Sequence, residues 1–144
     1  MVAGAGFIIF RRFDTEIKVL GLIGPKFHRE RCNGVFDVPK GTIDPGETAF
    51  AAAWRAAKEE AGYEIELKNI LAGPFINSML TMWLAEVNND PVLGANPNNG
   101  IIEHDGYEWL TVEELKKNCY DYLVPSVEWA AENISKQACY NNNN

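Results

Sequence analysis

The sequence has little of what would place it in several large classes of protein. Its three cysteines, Cys32, Cys119 and Cys139, show neither a C-x-x-C pair nor a Cys/His metal spacing. A disulfide framework and a structural zinc site are therefore not expected, and a reducing compartment fits best. No stretch approaches the ~20 apolar residues of a membrane span. Met1 leads into Phe7-Ile8-Ile9-Phe10 without a basic leader or a cleavage pattern, so a soluble, unprocessed, cytoplasmic protein is expected. Basic residues are in the minority, 13 against 20 acidic, for a net charge of -7. Clustered Lys and Arg make phosphate contacts, so this balance argues against a surface that coats nucleic acid. There is no internal repeat.

A small anionic ligand remains compatible with that charge, provided bridging metal ions and a few local cations hold it. Lys26, His28, Arg29, Arg31 and Lys40 lie upstream of an acidic helix and could rim such a site. For all but Lys40 the plainer reading, solvated loop charge, is preferred.

What is present suits one globular domain. A chain of 144 residues, 47% hydrophobic and 23% charged, can bury a respectable core. A single domain over residues 1–137 is expected, followed by a disordered tail at 138–144 ending in the low-complexity run Asn141-Asn144. Residues 5–13 and 17–23, rich in β-branched and aromatic side chains, predict a hairpin turning at Asp14-Thr15. Residues 24–34 read as a loop, and a short strand follows at 35–38. Further strands are expected at 64–72, 79–87 and 106–110, a loop at 88–100, and closing helices at 111–117 and 124–136. Strands on both sides of a long helix, then helices, predict an α/β fold, an α/β/α sandwich on a mixed central sheet.

The long helix carries the chemistry. It is predicted from Thr48, an N-cap residue, to Ala61, with Gly62 as its stop. Phe50, Ala53, Trp54, Ala57 and Ala61 form an apolar stripe facing a core. At about 100° per residue Ala56, Glu59 and Glu60 fall together on another side. Alone, Glu59 and Glu60 would be read as a solvated helix face. Carboxylates at such spacing repel one another unless a cation binds them, and an oxygen-only ligand set suits Mg²⁺ or Mn²⁺.

The surrounding spacing resembles the Nudix box, G-x5-E-x7-R-E-U-x-E-E-x-G-U with U an apolar residue. Gly41, Glu47, Arg55, Ala57, Glu59, Glu60, Gly62 and Tyr63 stand in register, and Ala56 replaces a family glutamate. The resemblance implies a metal-dependent hydrolase of nucleoside diphosphate-linked substrates. It implies that Gly41, through its carbonyl, Glu59 and Glu60 hold metal, and that Glu47 and Arg55 pair to support the loop. The glutamate absent at position 56 binds metal and takes a proton from the attacking water in many Nudix enzymes, so this chain is expected to be catalytically impaired. Retention of the other defining positions is what deliberate replacement of one residue would leave, and that reading is preferred to a naturally inactive relative.

Flanking segments, among them Val38-Pro39-Lys40-Gly41, Trp83-Leu84-Ala85-Glu86-Val87, Glu103-His104 and Tyr107-Glu108-Trp109-Leu110, resemble the asymmetrical diadenosine tetraphosphate hydrolases. That likeness implies a phosphate clamp at Lys40 and an extra metal-binding or basic carboxylate at Glu103. Phe36 and Thr42 stand where the animal enzymes carry Trp and His, and the segment 73–81 is shorter than theirs. An adenine site needs a flat apolar wall. Phe27, Tyr107 and Tyr122 are the candidate substrate-binding aromatics, with Tyr120 also available, while Trp83 and Trp109 are assigned to the core. Dinucleoside polyphosphates are the expected substrates. ADP-ribose, an RNA 5′ end, or binding without cutting are the alternatives.

Overall fold

The computed structural model describes the backbone of residues 3–142 and the side chains of residues 3–137. Strand β1 (Gly4–Phe13) turns into β2 (Glu16–Ile23), pairing Phe10 with Val19 and Phe13 with Glu16. Helix α1 (Lys26–Cys32), β3 (Phe36–Asp37) and β4 (Lys40–Thr42) follow, then α2 (Ala49–Ala61). β5 (Ile70–Asn77), β6 (Leu80–Val87), β7 (Gly106–Leu110), α3 (Val112–Asn118) and α4 (Val124–Asn142) complete the order. The sheet runs β3-β2-β1-β6-β5, with β4 on β1 and β7 on β2. Only the β1–β6 pairing is parallel among those described, so the sheet is mixed, as expected.

Alternation along β1 builds two cores. Phe7 and Ile9 face α2 and its buried Ala52, Ala53, Ala57 and Ala61. Ile8 and Phe10 face the opposite layer, where Leu115 of α3 and Val127, Ala130 and Ile134 of α4 pack. A central strand buried on both faces reads as a continuous apolar run, and the result is the expected α/β/α sandwich. Trp83 and Trp109 are partly buried against the α2-side core.

Three local expectations are corrected. Residues 24–34 contain a helix, α1, and none of its residues is buried, so no apolar periodicity betrays it. The strand expected at 64–72 starts at Ile70 after a 3-10 turn at Leu67–Asn69 and continues to Asn77. Register shifts between Ile70 and Ala72 and between Ala72 and Phe75 accommodate Gly73-Pro74, and an edge strand tolerates proline. Residues 40–42, where no strand is expected, form β4, paired with β1 from Gly4 to Gly6. At the C-terminus the α4 backbone continues through Asn142, and residues 143–144 of the expected tail lie outside the described residues. Among the described residues no helix is long and apolar enough to cross a membrane.

Candidate active site

Helix α2 begins where the Thr48 hydroxyl accepts a hydrogen bond from the Ala51 N–H at 3.0 Å. It ends at Gly62, whose φ of +72° lies in the left-handed region that favours glycine. Its alanine face packs on the sheet. The face bearing Ala56, Glu59 and Glu60 borders a cavity of about 740 Å³. Lys40 and Gly41 of β4 form an adjoining wall. The turn between β5 and β6, the segment from Gly94 to Glu103, and Tyr122 with Pro125 supply the other walls.

Glu47 of the loop and Arg55 of α2 meet in a two-pronged contact. The Arg55 guanidinium donates through Nε to Glu47 Oε2 and through Nη2 to Glu47 Oε1, both at 3.0 Å. Nη2 also donates to the Thr42 carbonyl at 2.8 Å, and Glu47 Oε1 accepts from the Asp44 N–H at 3.0 Å. This fork ties the loop to the helix. The Arg55 hydrogen bonds, then the one from Asp44, hold the Glu47 carboxyl down at about 2, against an ordinary 4.5. The interaction is therefore complete above pH 4.5 and is lost as pH falls through about 2. A side-chain NMR titration should place the Glu47 midpoint near 2, and Arg55→Lys, which loses the two-pronged geometry, should move it up toward 4.5. An unchanged midpoint would show that the fork is not the cause.

Beneath the cavity lies a buried polar cluster. Asp37 accepts from the Val38 N–H at 2.8 Å, lies 3.2 Å from the Lys40 ammonium, and has His104 Nε2 at 3.3 Å. The same His104 nitrogen is 3.7 Å from Glu60 Oε1. Burial alone would raise the Asp37 carboxyl, but Lys40 and His104 outweigh it and hold the group below its usual range. Burial would likewise lower Lys40, and Asp37, then Tyr122, keep it firmly protonated. Glu60 goes the other way. Burial, then the negative charges of Asp37 and Glu103, push it up to about 9, against the opposing pull of Lys40.

Ala56, Glu59, Glu60, Glu103, Lys40, Gly41 and Tyr122 all line this one cavity, with Arg55 among them. Two expected substrate residues stay outside it. Phe27 is 67% exposed on α1, and Tyr107, paired with Leu22 on β7, packs against the α2-side core. Tyr120 is buried in the opposite core. The proposed cation rim also divides, since Lys26 and Arg29 line a different cleft. Asp37 and the packing role of His104 escaped the sequence reading. The available signal was a carboxylate inside the apolar run Phe36-Asp37-Val38.

Oxygen donors are the right chemistry for a hard divalent cation. Among the described residues no group of three or more acidic, His or Cys side chains is arranged to hold a metal ion. Glu59 lies 3.6 Å from Arg55, and Glu103 accepts from Asn96 at 2.7 Å. Ala56, 2% exposed, lines the cavity on the same helix face as Glu59 and Glu60.

Three comparisons bear on this geometry. A family model described as NUDIX domain matches residues 3–130. The asymmetrical bis(5′-nucleosyl)-tetraphosphatase of Caenorhabditis elegans is 28% identical over 128 residues, covering 81% of this chain and 84% of that protein. Its counterpart in Sus scrofa is 31% identical over 126 residues, 76% of this chain and 78% of the relative. Among solved structures, a binary complex of a C. elegans Ap4A hydrolase aligns with a TM-score of 0.67 at 25% identity, over 96% of this chain and 98% of the other.

Proposed function

Because this chain belongs to the Nudix family, we propose that it is a cytoplasmic pyrophosphohydrolase scaffold for dinucleoside polyphosphates such as diadenosine tetraphosphate, in which Ala56 preserves binding and impairs cutting. One observation carries the reading. A single cavity gathers two helix-borne carboxylates, the alanine between them, the Lys40 ammonium and the Tyr122 ring. The names of the relatives that cover most of the chain support the substrate class.

In this reading Lys40 grips a phosphate oxygen. Its charge is assured by Asp37, and its Nζ lies 5.4 Å from the centroid of the Tyr122 ring. Tyr122, 45% exposed, offers a flat face beside that phosphate for a base. Glu47 and Arg55 keep β4 and α2 in register around the ligand. Nudix hydrolases use divalent metal, and Mg²⁺ or Mn²⁺ would polarise phosphoryl oxygens and acidify water. Glu59, Glu60, Glu103 and the Gly41 carbonyl are the donors this chain offers to such an ion once position 56 adds its carboxylate. As the chain stands, its residues bind and orient.

Calorimetric titration of the chain with diadenosine tetraphosphate, ADP-ribose and a 5′-triphosphorylated RNA tests the reading. Diadenosine tetraphosphate is expected to bind tightest. Lys40→Gln is expected to weaken it by about tenfold or more, the scale of a lost charge-assisted hydrogen bond. Tighter binding of ADP-ribose or RNA overturns the substrate class, and no nucleotide binding at all overturns the reading itself.

A further inference from the structure

A second concavity, of about 450 Å³, lies between α1 and the end of α3. Lys26 and Arg29 from α1 and Lys117 from α3 line it, against one carboxylate, Glu30. In a chain of net charge -7 this is a local reversal of sign. Among the described residues neither lysine has an acidic partner within 4.0 Å. Arg29 lies 3.6 Å from Asp105 through Nη2, while its Nε is buried and donates to no protein acceptor. A buried N–H without an acceptor is costly.

The walls of the cleft are fixed by main chain. The Gly34 N–H donates to the Arg29 carbonyl at 3.3 Å, and the Val35 N–H to the Asn118 carbonyl at 2.8 Å. A side chain at Gly34 would place its Cβ 2.5 Å from the Cys119 carbonyl oxygen, so only glycine lets α1 come this close to the end of α3. Two lysines without an acidic partner and Arg29, itself 3.6 Å from Asp105, thereby line one hollow, where an added anion would relieve their repulsion. Lysine ammonium groups act as point charges toward phosphate, and the arginine fork adds directed donors. The cleft adjoins the first cavity at one hydrogen bond, where Asn33 of this cleft donates to Asp121 of the other at 3.3 Å.

We propose that the α1–α3 cleft is a second anion site, independent of the first cavity, that takes the phosphate groups of a polyanion. An inorganic polyphosphate chain and the phosphodiester backbone of a single strand share that chemistry. The test titrates the chain separately with inorganic tripolyphosphate and with a 5′-phosphorylated single-stranded hexanucleotide at several salt concentrations. At least one is expected to bind, and which one does identifies the source of the phosphate. The double reversal Lys26→Glu/Lys117→Glu is expected to cost tenfold or more in affinity. It should also flatten the dependence of log affinity on log salt by about 1.4 for the single strand, ~0.7 for each phosphate that is no longer neutralised. Lys40→Gln, which removes the clamp of the first cavity, should leave this binding intact, so failure there is separable from failure here. Arg29→Lys keeps the charge and should retain most of the affinity. Unchanged affinity in the double reversal overturns the proposal. A melting temperature that falls while affinity holds overturns it equally, because Lys117 would then serve only the C-terminal end of its own helix and Lys26 only its local packing.

Discussion

Ala56→Glu is expected to raise hydrolysis of diadenosine tetraphosphate at least a hundredfold in the presence of Mg²⁺ or Mn²⁺, since general-base catalysis alone contributes ~10²–10⁴. Position 56 lines the cavity together with Glu59 and Glu60, so a longer side chain there extends into it. There the new carboxylate meets two others, one of them already pushed up to about 9 by burial and neighbouring charge. Without metal the variant should therefore melt lower than the parent. With Mn²⁺ it should recover, because ligand that binds only the folded state stabilises it, and calorimetry should register an ion that the parent does not hold. Nucleotide release is the decisive measurement. A variant that binds Mn²⁺ and nucleotide yet cuts no faster than the parent would sink the idea that position 56 alone separates this chain from an active hydrolase.

Gly6→Ala is expected to cost about 3 kcal/mol, at the upper end for forcing an extra group into packed structure, and to lower the melting temperature by about 10 °C in a chain of this size. Gly6 pairs with Lys40, and an added Cβ would stand 2.2 Å from the Pro39 carbonyl oxygen and 2.8 Å from the Lys40 Cα. Both are backbone atoms, so relief requires β4 to move outward. The cavity wall would move with it, displacing the Lys40 ammonium from Asp37, and nucleotide affinity should fall along with stability. Gly4→Ala, two residues earlier on the same strand, is the control. Its Cβ would meet the Gly41 carbonyl oxygen at 3.4 Å and a Leu80 methyl at 3.6 Å, ordinary contacts, and it should cost less than about 1 kcal/mol. Equal losses in the two variants would show that the close approach at Gly6 is not what limits it. Thermal melts and nucleotide titrations decide.

Helix α2 is legible in the sequence because two independent signals coincide there. Thr48 and Gly62 mark its ends chemically, and the alanine stripe fixes which side meets the sheet, so the position of Ala56, Glu59 and Glu60 on one wall follows from angles alone. The pairing of Glu47 with Arg55 is implied by the resemblance to the Nudix box and by no local period, and the two residues do meet. Elsewhere the necessary information is tertiary. Helix α1 buries nothing, so its residues carry no period. Strand β5 passes through Gly73-Pro74, which locally reads as a break and is tolerated only because the strand lies at the sheet edge. Asp37 is a lone carboxylate in the run Phe36-Asp37-Val38, and its partner His104 is 67 residues away in sequence. The aromatics show the same limit. Nothing local distinguishes Tyr122 at the cavity from Tyr107 against the core, because the choice is made by where β7 and the segment before α4 happen to pack.

Strand β1 sends alternate side chains into the two separate cores, Phe7 and Ile9 to one and Ile8 and Phe10 to the other. Neither layer can detach from it without exposing residues whose neighbours in the chain belong to the other. The helix layer bearing the acidic face and the layer bearing α3 and α4 should therefore open as one unit. Hydrogen exchange from the amides of β1 should be the slowest in the molecule and should report the free energy of global unfolding, whichever face of the sandwich is disturbed.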